Sequence, residues 1–129
     1  MGRKTYEACR SFAHWPYSGT RVVVWSRSLS GRSPELHGQL EFSARPPRKL
    51  IGTLEVAGLR HVSVDGGTTV QAFLAEGLVN ELTVTTIPIV LGQGVPLFGR
   101  LEREIRLHLV RTRAFPDGLV QSTYAVETR

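Results

Sequence analysis

The sequence predicts an α/β fold on a mixed sheet, and three observations carry that reading. Val22-Val23-Val24-Trp25 and His61-Val62-Ser63-Val64 are short β-branched runs of the kind that fill interior strands. Each is followed by segments whose apolar residues recur at helical spacing, so the middle of the chain reads as βαβα, the pattern of a parallel sheet. Near the end, Ile105, Leu107 and Leu109 alternate with polar residues, then Pro116-Asp117-Gly118 marks a turn and Leu119 to Val126 a last strand. That is an antiparallel hairpin, so the sheet is mixed.

The chain has 129 residues, a length that predicts a single domain over 1–129 with a sizeable buried core. No apolar run approaches the ~20 residues that a membrane-spanning helix needs. The polar N-terminus shows no secretory pattern, and the lone Cys9 forms no internal disulfide. Together these predict a cytoplasmic protein without a membrane partner. The net charge is +5, with arginine supplying most of the basic residues. Such a balance calls for an anionic ligand, either a phosphorylated small molecule or nucleic acid. The arginines are scattered and no aromatic residues interleave with a basic stripe, which argues against nucleic acid.

In chain order, Thr5 to Phe12 reads as a short helix with Tyr6, Cys9 and Phe12 on one side and Thr5 as its N-cap. Gly2-Arg3-Lys4 ahead of it is a candidate anion site, since arginine offers a planar charged fork to phosphate. Trp15 to Gly19 is a loop. The strand Arg21–Ser26 ends in Ser26-Arg27-Ser28, and ligands of open α/β sheets lie beyond the carboxyl ends of strands. Gly31 to Pro47 is mostly loop, with a short strand at Leu40–Ser43. Lys49 to Gly58 is a helix with Leu50, Ile51, Leu54 and Ala57 on one face. Strand His61–Val64 then leads through Asp65-Gly66-Gly67-Thr68-Thr69 into a helix marked by Val70, Phe73, Leu74 and Leu78. Two glycines permit positive φ and close approach, and the helix start offers free N–H groups to an anion. Asn80 to Val90 is β-rich, Leu91 to Gly99 is a glycine loop, and the phase of the next strand breaks near Val110, where a bulge fits.

Several motifs are excluded. Gly92-Gln93-Gly94-Val95-Pro96-Leu97 lacks the third glycine of a dinucleotide fingerprint and opens no helix. His14, His37, His61 and His108 are dispersed, so no metal site is predicted. There is no nucleophile elbow and no P-loop.

Met1-Gly2-Arg3-Lys4-Thr5-Tyr6-Glu7, Val24-Trp25-Ser26-Arg27-Ser28, Val64-Asp65-Gly66-Gly67, Gly77 to Leu82 and Ile87 to Phe98, in this order and spacing, resemble the dihydrofolate-reductase-like superfamily. Within it the chain is similar to the reductase domain of the bifunctional riboflavin-biosynthesis deaminase–reductase and its stand-alone relatives. The resemblance implies a three-layer α/β/α fold and NADPH as hydride donor. It implies that Gly2, Arg3, Lys4 and Thr5 lie beside the cofactor phosphates and that Ser26, Arg27 and Ser28 hold the adenosine 2′-phosphate. Asp65, Gly66, Gly67, Thr68 and Thr69 correspond to the turn meeting the pyrophosphate and nicotinamide side. Leu91, Gly92, Gly94, Pro96, Leu97 and Phe98 belong to a loop bordering the substrate and a homodimer contact.

The chain also departs from that pattern. Relatives open with a central strand and a Ser-Leu-Asp-Gly-like loop before the Gly-Arg-Lys-Thr segment, and nothing here corresponds to them. Met1 is therefore expected to be an internal methionine, and no catalytic residue is assigned. The functions in view are an NADPH-dependent reductase of a phosphoribosylaminopyrimidine-like or related heterocyclic small molecule, a dihydrofolate reductase proper, and an inactive cofactor-binding or dimerising remnant.

Overall fold

The computed structural model describes residues 1–29, 31 and 40–127. Among these, the elements in order are α1 (Arg3–Arg10), β1 (Val22–Trp25), β2 (Leu40–Ser43), α2 (Pro47–Val56), α3 (Gly67–Ala75), β3 (Glu81–Thr86), β4 (Leu107–Ala114) and β5 (Val120–Val126). They fall into two compact units, Met1–Ala72 and Phe73–Arg129. The reading of Gly31 to Pro47 as loop falls partly outside the described residues.

In the first unit β1 and β2 pair in parallel, Val22 opposite Leu40 and Val24 opposite Phe42. Alternation puts Val22, Val24 and Leu40 on one face, where all three are buried with Tyr6 of α1. Met1, Trp15, Tyr17, Leu29 and Phe42 pack around this cluster. Its aromatic rings meet edge to face, with centroids 5.5 Å apart for Tyr6–Phe42 and for Trp15–Tyr17. Leu50 and Leu54 of α2 share a cleft with Glu41 and Ser43 of β2. At the N-terminus, the Met1 ammonium donates to the Val23 carbonyl at 2.8 Å. The Trp25 N–H donates to the Met1 carbonyl, and the Gly2 N–H donates to the Asp65 carbonyl at 3.1 Å. Met1 and Gly2 thus join β1 to residue 65.

Two local expectations change. His61–Val64 is not a strand. A ladder needs backbone partners over several residues. Gly2 supplies one bond, at Asp65, before the chain turns into α1. The cap of α1 is Gly2 and not Thr5: Gly2 is extended at φ −79° and its carbonyl takes the first helical N–H, from Tyr6. The helix therefore ends earlier, and Phe12, beyond the cap at Ser11, is exposed.

In the second unit β3, β5 and β4 form an antiparallel sheet in that order. Leu82 lies opposite Tyr124 and Val84 opposite Ser122. Leu107 lies opposite Val126 and Leu109 opposite Tyr124. The register shifts between Leu109 and Arg111, so the bulge expected near Val110 is present. One face is largely apolar. The other is polar, with hydroxyl contacts between Thr83 and Thr123 at 3.1 Å and an Arg111 Nε donation to Thr123 Oγ1 at 3.3 Å. The Pro116-Asp117-Gly118 turn closes the β4–β5 hairpin, with Gly118 at φ +86°. Both expected pairing types are present, parallel in the first unit and antiparallel in the second.

Candidate functional site

Two helices of the first unit begin beside each other. In α1 the cap Gly2 offers no side chain, so the amides of Arg3, Lys4 and Thr5 precede the first intrahelical bond. In α3 the first such bond runs from the Val70 N–H to the Gly66 carbonyl at 2.8 Å, leaving the amides of Gly67, Thr68 and Thr69 ahead of it. Neither first turn contains an acidic residue. Two helix starts, each with three amides ahead of its first intrahelical bond, lie with Lys4 and with Arg3, whose guanidinium also pairs with Glu7 at 3.4 Å, and make a donor-rich patch that suits an anion.

Glycine and threonine interlock these starts. A Cβ on Gly2 would lie 2.5 Å from Thr69 Oγ1, and one on Gly66 would lie 2.7 Å from Thr5 Oγ1. Gly66 also sits at φ +97°, where side chains are strained. These two glycines let protein approach protein. Gly67 differs: among the described residues a Cβ there meets nothing within 4 Å, and its φ is not positive. It leaves open space directly before the start of α3.

Asp65 braces this turn. Its Oδ1 accepts the Gly66 N–H at 2.7 Å, and its Oδ2 accepts the Tyr17 hydroxyl at 3.3 Å. A carboxylate donates nothing to an anion, so its work here is on the backbone. Burial, then the Asp65 charge and Cys9, push the Tyr17 hydroxyl above its ordinary pKa. Burial lowers the Met1 ammonium, while the Asp65 charge acts in the opposite direction. Tyr17 was not among the sequence candidates. Its signal was a tyrosine in a Pro- and Gly-bounded loop, which by itself suggests only a turn.

Ser26 follows β1 and is buried. Its Oγ accepts the amides of Ser28 and Leu29, both at 3.2 Å, and lies 3.3 Å from Ser28 Oγ. That hydroxyl shapes the loop and leaves Arg27 and Ser28 exposed. Because Gly2 bridges to Trp25, this loop follows immediately beside the start of α1. The first unit therefore gathers Gly2 to Thr5, Ser26 to Ser28 and Asp65 to Thr69. Leu91, Gly92, Gly94, Pro96, Leu97 and Phe98 lie in the second unit, all exposed.

The donor set fits a phosphorylated cofactor: backbone amides, Arg3, Lys4 and Arg27, with clearance at Gly67. Among the described residues no group of His, Cys, Asp and Glu could hold a metal ion. No described helix is long and apolar enough to cross a membrane.

Residues 21–121 match the family model of the RibD C-terminal domain. The Bacillus subtilis (strain 168) protein YwjB is 31% identical over 121 residues, which cover 89% of this chain and 66% of YwjB. YyaP of the same organism is 41% identical over 59 residues, 46% of this chain and 31% of YyaP. The chain thus spans less than two thirds of the length of either relative. A structure of a protein assigned to riboflavin biosynthesis from Shewanella sp. PV-4 superposes with TM-score 0.90 at 34% identity, covering 98% of this chain and 72% of that one. A pyrimidine reductase-like protein from Corynebacterium diphtheriae gives TM-score 0.63 at 22% identity, over 83% of this chain and 50% of that one, a likeness of fold. The family match and the near-complete superposition agree, and the chain belongs to the RibD C-terminal domain family, with the α/β fold of that family.

Proposed function

We propose that the chain is an NADPH-dependent reductase that delivers hydride to a phosphoribosylaminopyrimidine-like or related heterocycle. The observation that carries the reading is the meeting of two helix starts, interlocked by Gly2–Thr69 and Gly66–Thr5, beside the exposed Arg27. Bound NADPH supplies the hydride, and the chain's own residues position it. In this reading the amides of Gly67, Thr68 and Thr69 face the pyrophosphate, with Arg3 and Lys4 beside it. Arg27 and Ser28 take the 2′-phosphate, and Ser26 holds their loop in shape. Each helix start contributes roughly 0.3–1 kcal/mol towards a bound anion, and each hydrogen bond to a charged group roughly 1.5–3 kcal/mol.

The same proposal includes a homodimer, formed through the exposed run from Leu91 to Phe98, and a cytoplasmic setting. The relative of 34% identity named for riboflavin biosynthesis supports the substrate class. Cofactor choice tests the reading. NADPH is expected to bind more tightly than NADH. Arg27→Ala is expected to weaken NADPH by about 10- to 100-fold, one charged hydrogen bond, and to leave NADH nearly unchanged. Fluorescence titration of both cofactors decides; equal affinities in the wild type would overturn the 2′-phosphate assignment.

A further inference from the structure

We infer that Tyr17 is a positioning residue for anion recognition at the glycine turn, acting through Asp65. The inference rests on the cofactor reading above and extends it to a residue from a distant loop. Tyr17 lies 48 positions before Asp65, yet its hydroxyl donates to Asp65 Oδ2 at 3.3 Å. The ring is fixed at its other end, edge to face with Trp15, and packed against the core. The opposite carboxylate oxygen accepts the Gly66 N–H at 2.7 Å.

The chain of contacts therefore runs from the core, through a phenol and a carboxylate, to the residue at φ +97° that sets the entry into α3. With the Gly66 amide held inward, the amides of Gly67, Thr68 and Thr69 remain for a ligand. The phenol has a second effect. A carboxylate beside an anion site repels the ligand, and donation from Tyr17 draws its charge towards the loop and away from the approach path.

Two ligands separate positioning from general support. NADPH carries the pyrophosphate that the turn would meet, whereas adenosine 2′-phosphate carries only the end assigned to Arg27. Tyr17→Phe is expected to raise the Kd for NADPH about tenfold, the scale of one net hydrogen bond. It should leave the Kd for adenosine 2′-phosphate and the melting temperature of the ligand-free protein unchanged. Tyr17→Phe placed on an Asp65→Asn background should cost less than on the wild type, since it acts through that residue. Asp65→Asn alone gives a second readout of the same split between the two ligands.

Unchanged NADPH affinity in Tyr17→Phe, or equal losses for both ligands, would overturn the positioning role and leave the cofactor reading standing. A wild type that binds neither ligand would overturn both.

Discussion

Met1–Ala72 carries ten basic residues against five acidic ones, whereas Phe73–Arg129 carries six against six. The net charge of +5 thus belongs wholly to the first unit. Exposed apolar surface divides the other way. Among the described residues three large exposed hydrophobic side chains lie in the first unit, Phe12, Val56 and Val62. Eleven lie in the second, from Ile87 to Val120, with Val90 at 97% and Val95 at 95% exposure. From Leu82 to Gly99 there is no charged residue at all. Charge collects in the unit that holds the two helix starts, and copies of a +5 surface repel each other there. A neutral apolar surface carries no such penalty, so self-association is expected to use the second unit.

The sharpest way to break this comparison lies within the first unit, at neighbouring glycines. Gly66→Val forces a side chain to φ +97° and into Thr5 Oγ1, costing about 3 kcal/mol of stability from left-handed strain plus overpacking. A large fall in melting temperature is the expected result. At Gly67 an added Cβ meets nothing within 4 Å among the described residues, so Gly67→Val should melt near the wild type while losing NADPH by about 100-fold through loss of clearance. If Gly67→Val unfolds as well, the turn is purely structural and the ligand assignment to the first unit fails.

The next test addresses the second unit. Sedimentation is expected to give a mass near twice 14.3 kDa. Phe98→Asp, placing a charge in the uncharged run, should weaken association by about 2 kcal/mol, roughly 30-fold, without altering NADPH affinity. A monomeric wild type at micromolar concentration would remove the assembly half of the comparison.

The smallest effect concerns pH. Burial, then the Asp65 charge, raises the Tyr17 hydroxyl above its unfolded value of 10.0. The folded chain then binds more protons in the window above 10.0, so stability should be level below that window and fall as pH rises through it. Melting temperatures from about pH 8 to about pH 11 check the sign. A rise through the window would mean that the hydroxyl ionises more easily in the fold than in the unfolded chain.

These elements differ in how legible they were. Val22–Trp25 was readable because three valines and a tryptophan suit only a buried strand, and Val24 is fully buried. The β4–β5 hairpin and its bulge were readable because alternation and its loss at Val110 are local signals. His61–Val64 misled because strand character depends on a partner, which no run of valines specifies. At the site, the glycine turn and the segments at Gly2 and Ser26 were visible as types of residue in suggestive places. The division of labour among them was not. That Gly66 is required by Thr5, that Gly67 faces open space and that Tyr17 reaches Asp65 are long-range facts of packing. Sequence spacing carries no trace of them.

The bond from Gly2 to Asp65 joins positions about 60 residues apart along the chain. Closing so long a loop costs several kcal/mol of chain entropy, on the order of 4 by the logarithmic law. A ligand gripping both helix starts would act as a reversible cross-link over that loop. Its binding energy would then appear as added resistance to unfolding of the first unit as a whole. Hydrogen exchange should accordingly slow upon ligation even at amides of α2, which lies inside the closed loop and is assigned no part in gripping the ligand.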